Sequence, residues 1–106
     1  MKLILKDAQE LTIDSMNSTI VRDGIRERDA TEIRIYDCEK SLSELKALLS
    51  DDNLSEFKIQ LDSGKQRQMN GWAFYRAVEN WSDTGVFTTI TLYLVDDVAE
   101  IIELGL

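Results

Sequence analysis

Residues 72–81 read Trp72-Ala73-Phe74-Tyr75-Arg76-Ala77-Val78-Glu79-Asn80-Trp81, followed by Ser82-Asp83-Thr84-Gly85 and then Val86-Phe87-Thr88-Thr89-Ile90-Thr91-Leu92-Tyr93-Leu94-Val95. The final run alternates, with Phe87, Thr89, Thr91 and Tyr93 set against Thr88, Ile90, Leu92 and Leu94. That is the period of a half-buried strand. The run 72–81 fits a helix or a strand by period alone. Its aromatic content and the Ser-Asp-Thr-Gly connection into an evident strand favour a hairpin. As a strand it carries Trp72, Phe74, Arg76, Val78 and Asn80 on one face. Ala73, Tyr75, Ala77, Glu79 and Trp81 lie on the other. This choice decides the fold, because it turns the C-terminal half of the chain into sheet.

Upstream, residues 66–81 read as one long segment, preceded by a turn at Asp62-Ser63-Gly64. Leu54 to Leu61 is a strand with Phe57, Ile59 and Leu61 on one side. Before it the period changes. Ser41-Leu42-Ser43-Glu44 is a capping box, in which a serine hydroxyl and a glutamate satisfy each other's backbone amides. Leu42, Leu45, Leu48 and Leu49 follow at helical spacing. The helix spans about 41–50. Asp51-Asp52-Asn53 ends it, because two acids at a helix C-terminus oppose the macrodipole.

The N-terminal part alternates again. Leu3 and Leu5 face away from Lys2, Ile4 and Lys6, and a turn at 7–10 leads to Leu11 and Ile13. Ser18 to Arg22 is a β-branched run, and Asp23-Gly24 is a turn signal. The charged stretch 25–29 reads as a loop or hairpin tip before a strand at Thr31–Tyr36, which carries Ile33 and Ile35 on one face. Downstream, 96–106 reads as a short helix carrying Val98, Ile101 and Ile102, or as continued strand. The sum is one α+β domain over 1–106. It has a mainly antiparallel sheet or sandwich-like arrangement of six or seven strands, one firm helix and an optional C-terminal one. Leu3, Leu5, Leu11, Ile13, Ile33, Ile35, Leu45, Phe57, Ile59, Phe74, Ile90 and Leu92 supply the core.

The chain has 20 Asp+Glu against 12 Lys+Arg, a formal net charge of −8, no histidine, no proline and one cysteine. Without histidine there is no Ser-His-Asp or Cys-His nucleophile and no His-ligated metal. Cys38 alone forms neither an internal disulfide nor a multi-cysteine metal site, and it reads as a small half-buried residue. The negative charge disfavours nucleic acid and anionic membrane as partners. No run is long enough to span a membrane. No secretory signal is present, so the expected location is the cytoplasm, and the three Asn-x-Ser/Thr matches are coincidental.

Ser63-Gly64-Lys65 ends like a phosphate-binding loop, but Ile59 stands where its first glycine belongs and Gln66 follows the lysine. A turn is the better reading. The acidic pairs Asp51-Asp52 and Asp96-Asp97 match no calcium loop and read as solvated. No residue is nominated as catalytic, and no metal or cofactor is expected. Two features point outward instead. Trp72, Phe74, Tyr75, Trp81, Phe87 and Tyr93 concentrate aromatics late in the chain, and of these Trp72, Tyr75, Trp81 and Tyr93 are candidate contact residues. Charge is also locally split. Residues 65–76 hold Lys65, Arg67 and Arg76 with no acid, while 95–106 hold Asp96, Asp97, Glu100 and Glu103 with no base. These surfaces either cancel within one molecule or meet head to tail between subunits, as in a ring.

Leu3-Ile4-Leu5-Lys6-Asp7, a turn, and Leu11-Thr12-Ile13 resemble the start of many small proteins from the structural modules of bacterial phages and prophages. Ala8 stands where that pattern has glycine. The stretch from Leu42 to Ser55 is similar to their single helix and acidic loop. The resemblance implies a virion- or tail-associated protein of a Gram-positive phage or prophage, non-enzymatic and working through self-association or other virion proteins. One alternative is an acidic decoy for a basic, nucleic-acid-binding surface of a host protein. It needs acids on one face, yet residues 1–53 carry 12 acids and 8 bases and residues 54–106 carry 8 and 4, so each half is −4. A small carboxylate-dependent enzyme ranks third.

Overall fold

The computed structural model describes residues 1–95. Eight strands and two short helices run in the order β1 (Lys2–Ile4), β2 (Glu10–Thr12), β3 (Ser15–Asp23), β4 (Arg26–Tyr36), α1 (Leu42–Leu48), α2 (Asp51–Ser55), β5 (Glu56–Gln60), β6 (Gln66–Asn70), β7 (Trp72–Ser82) and β8 (Gly85–Leu94). They form two four-stranded sheets, ordered β2-β1-β5-β6 and β3-β4-β8-β7. Every pairing is antiparallel. Successive hairpins are dealt alternately to the two sheets. The first and third build one; the second and fourth build the other.

The mainly antiparallel architecture agrees with the expectation, but the strand count is eight rather than six or seven. The extra strand comes from residues 66–81, which are not one segment. Gly71 sits at φ +76°, a left-handed value that side chains resist. There the chain leaves the first sheet and enters the second. The Gly71 amide donates to the Ser55 carbonyl at 2.9 Å, and its own carbonyl accepts from the Val95 amide at 2.7 Å. The charged stretch 25–29 is also strand from Arg26 onward rather than a hairpin tip, because β3 and β4 pair all the way from Ser15↔Arg34 to Asp23↔Arg26. Pairing between β4 and β8 covers Ala30 to Tyr36. Among the described residues, the distal part of the β3–β4 hairpin is therefore a two-stranded ribbon, and Ile25 at its tip is 99% exposed.

The inward faces of the two sheets close on one hydrophobic cluster. Leu3, Leu11 and Ile59 come from the first sheet; Ile33, Ile90 and Leu92 come from the second. The helices close the cluster with Leu45, Leu48 and Leu54, joined by Leu49 at the C-cap of α1, all buried. Burial of one such leucine stabilises by about 1.5–3 kcal/mol. Of the twelve expected core residues only Phe74 is half-buried, packed against the cluster rather than within it.

The capping box at α1 is present. The Glu44 amide donates to Ser41 Oγ at 3.1 Å, and the Ser41 amide donates to Glu44 Oε1 at 3.2 Å. The chain leaves α1 before Asp51, as the dipole argument requires. It does so only to start a second helix, which the sequence reading lacked. Ser50 caps α2 by accepting from the Asn53 amide at 3.3 Å. Asp51 and Asp52 thus lie in a first turn, where acids are favourable. The expectation for 96–106, helix or strand, lies outside the described residues.

Candidate functional site

The second sheet turns one face to the core and the other outward. On β8 the alternation separates Ile90 and Leu92, fully buried, from Phe87, Thr89 and Tyr93 on the outer side. On β4 the register sets Ala30 opposite Tyr93, Arg34 opposite Thr89 and Tyr36 opposite Phe87. These pairs share the outer face, because residues directly opposite in an antiparallel ladder point the same way.

On β7 a bulge changes the parity. Phe74 pairs with Leu92, Arg76 pairs with Thr91, and Tyr75 is the extra residue between them. Before the bulge Trp72 and Phe74 face inward; after it Ala77, opposite Ile90, does so. The faces expected from strict alternation are therefore wrong beyond Tyr75. A regular strand would have turned Arg76 toward the core. The bulge places Arg76 outside and puts the small Ala77 against Ile90, avoiding the burial of a charge.

The outer face carries two groups of rings and guanidinium groups. In the first, Tyr75 and Tyr93 meet edge to face with centroids 6.1 Å apart. Arg76 lies 5.8 Å from the Tyr75 centroid, and Arg28 lies 5.8 Å from that of Tyr93. In the second, Tyr36 and Phe87 are 5.6 Å apart, and Arg34 lies 5.1 Å from the Phe87 centroid. These distances are within the range of cation–π attraction. Arg34 also pairs with Glu32 at 3.6 Å. Asn80 Nδ2 donates to Thr89 Oγ1 at 3.0 Å, joining β7 to β8 on the same side.

Of the residues singled out from sequence, Tyr75, Arg76 and Tyr93 come together on this face. Trp72 packs half-buried against the core. Trp81 is 77% exposed near the β7–β8 turn, on the inward-facing side but beyond the core. Lys65 lies in the β5–β6 turn, and Arg67 is on β6 in the first sheet, opposite Ile59. The basic segment 65–76 is thus divided between two sheets at Gly71 and is not one surface. Asp96, Asp97, Glu100 and Glu103 lie outside the described residues. Arg28, Arg34 and Tyr36 were not singled out from sequence. Their signal is the even-numbered positions of β4, which become a surface only once β8 is known to lie beside it.

Acidic residues gather elsewhere. A cleft of about 570 Å³ at the β4–α1 end is lined by Glu10, Asp14, Asp37, Glu39 and Glu44, with Lys40. Asp14 accepts from the Tyr36 amide at 2.7 Å. The Ser41 backbone amide, helped by its hydroxyl, holds the Glu44 carboxyl below the ordinary glutamate range. Among the described residues no group of three or more potential ligands is arranged to hold a metal ion. No helix among them is long and apolar enough to cross a membrane. Cys38 is half-buried and unpaired in any disulfide.

Comparison of the chain with protein-family models, with curated proteins and with solved structures found no match.

Proposed function

We propose that the chain is a non-enzymatic assembly protein of a phage- or prophage-like particle. It works through protein–protein contacts in the bacterial cytoplasm and then in the particle. The observation that supports this reading is the outer face of the second sheet. A four-stranded sheet presents paired rings and guanidinium groups to solvent. Aromatic residues and arginine are the types enriched where protein surfaces bind. The same observation weighs against the acidic decoy, whose broad binding face would need carboxylates where this one has arginines.

The test is direct. Particles are purified from the producing bacterium on a density gradient, together with their assembly precursors, and the chain is sought by quantitative mass spectrometry. A fixed copy number in particles or precursors is the expected result. Absence from both overturns the reading.

A further inference from the structure

We propose that β3, an edge of the second sheet, pairs antiparallel with β3 of a second copy of this chain, about a two-fold axis at Ser18. The two second sheets then form one continuous eight-stranded sheet. The proposal goes beyond the assembly reading and is tested without any particle.

The bare edge is the first argument. Among the described residues the edge strands are β2, β6, β3 and β7. An edge presents unpaired amides and carbonyls, and proteins blunt it by shortness, charge, proline or a bulge. β2 has three residues, β6 has five with Arg67 among them, and β7 carries the Tyr75 bulge with Arg76 and Glu79. β3 has none of these devices over Ser15–Val21. That run has no charge and no proline, and it pairs with β4 in unbroken register. Among the described residues its backbone makes no hydrogen bond beyond that pairing. Such an edge is a template for an added strand.

The second argument selects the strand that is added. β4 pairs with β8 only from Ala30 onward, and Ala30 lies opposite Thr19. Ser15 to Thr19 therefore belong to the four-stranded part of the sheet, and Ile20 to Asp23 to the two-stranded ribbon. A ribbon of two strands is marginal in water and gains stability from a third. A two-fold axis at Ser18, the middle of the uncharged run, lays the ribbon of each copy along the four-stranded part of the other. Each copy thus supplies the strand that the other lacks, and the isologous contact closes both edges at once. A strand from another protein completes one edge without that reciprocal fit.

Side chains are the third argument. In this register Ser15 faces the partner's Val21, Met16 faces the partner's Ile20, and Asn17 faces the partner's Thr19. Ile20 is 60% exposed and lies on the same side of β3 as Met16, which packs against the core cluster. Pairing covers Ile20 and continues the apolar cluster across the axis. Moving the axis by one residue either way sets Ile20 against the partner's Ser18 or the partner's Asp14 and loses this match. Just outside the run, Arg22 comes opposite the partner's Asp14. Arg22 already pairs with Glu27 at 3.2 Å, and Asp14 accepts from the Tyr36 amide. The position therefore counts only as one where like charges do not meet. For two chains of −8 that is what an approach requires, and the uncharged edge provides it.

At about 3.3 Å per residue the paired run is only about 23 Å long, so association is sought up to millimolar protein. Sedimentation velocity is run on the full chain, on Ser18→Lys and on Ser18→Glu, with circular dichroism to check that each is folded. The wild-type chain should form a dimer and nothing larger. Either variant sets two like charges face to face across the axis and should lose about fivefold or more in association constant. Ser18→Lys makes the chain less negative, so its loss cannot come from general repulsion. Mixed in equal amounts, the two variants should regain the dimer. Mild oxidation then reads the register. In a Cys38→Ser background, Ser18→Cys should cross-link, because directly opposite residues lie within disulfide reach. Ile20→Cys should not, because its counterpart in the partner lies four residues along the strand, about 13 Å away. A wild-type chain that stays monomeric to millimolar concentration overturns the proposal. So do folded Ser18 variants that associate like wild type, a mixture that fails to pair, and cross-linking at position 20 but not at 18. The chain found in particles alongside any of these failures would keep the assembly reading and remove this one; a dimer absent from particles and precursors would do the reverse.

Discussion

Ala8 occupies a backbone conformation that belongs to glycine. Its φ is +73°, and its amide donates to the Leu5 carbonyl at 2.9 Å in the turn between β1 and β2. A β-carbon in the left-handed region costs about 1–2 kcal/mol, part of which glycine returns through the greater freedom of its unfolded chain. Ala8→Gly should therefore stabilise the fold by about 0.5–1 kcal/mol in urea denaturation. Asn53 is a second decisive residue, with only 7% of its surface exposed. Its Nδ2 donates to the Leu48 carbonyl at 2.8 Å and to Asp7 Oδ2 at 3.1 Å, while its Oδ1 accepts from the Asp7 amide at 3.3 Å. One side chain thus ties the first hairpin to both helices. Asn53→Ala strands those partners and should cost about 1–3 kcal/mol by the same measurement. Asp7 and Glu44 give the fold a pH dependence. Hydrogen bonds from the Gln9 side chain, then from its amide and Asn53, hold Asp7 below its ordinary pKa, as Ser41 does for Glu44. Both carboxyls bind protons more weakly in the folded state. Their stabilisation is present above the unfolded pKa values and fades as pH falls through the folded ones, below about 4. A plot of melting temperature against pH should fall more gently on its acid side in Asp7→Asn and Glu44→Gln than in the wild type.

At the scale of elements, the features that depend on neighbours in sequence were legible and those that depend on neighbours in space were not. The Leu3–Leu5 alternation and the Ser41–Glu44 cap are local, and both are found. Ser50-Asp51-Asp52 carried the signal of a helix start as well as a helix end, and the structure uses it as a start. The Tyr75 bulge is different in kind. Nothing in 72–81 says that the period slips there; it follows from Arg76 and Ala77 competing for the position opposite the buried end of β8. Three of the candidate contact residues nevertheless meet on one face, because the slip carries Arg76 to the side where Tyr75 and Tyr93 stand. Gly71 shows how much one residue decides, since it moves the chain from one sheet to the other. A β-carbon there meets only the Val95 carbonyl oxygen at 3.7 Å, an ordinary contact, so the penalty is conformational. Gly71→Ala should destabilise by about 1–2 kcal/mol, and loss of more than that would mean the sheet crossing itself had failed. Calorimetry distinguishes these, because a failed crossing also lowers the unfolding enthalpy.

Across the whole molecule, extents of 52 × 30 × 24 Å describe an elongated body with the β3–β4 ribbon overhanging the four-stranded overlap. The net charge excluded partners when taken as a sum. Resolved onto surfaces, it separates into an arginine-bearing face and a carboxylate-lined end. The sheet assignment of the hairpins also sets the order of events during folding. Neither sheet has its central pairing within one half of the chain: Leu3 waits for Ile59, and Ile33 waits for Ile90. The one core they share therefore stays open until β8 has been synthesised, and closing it requires distant segments to meet before any burial rewards it. Such topologies fold in about milliseconds to seconds. Without proline the chain lacks the isomerisation that adds a slower tail. Stopped-flow refolding followed by tryptophan fluorescence should show a single phase, with no earlier state in which one sheet stands alone. A ribosome carrying this protein thus holds an unfinished chain until β8, the last described strand, is being made, and the hairpins emerge as exposed ribbons well before they have a core to join.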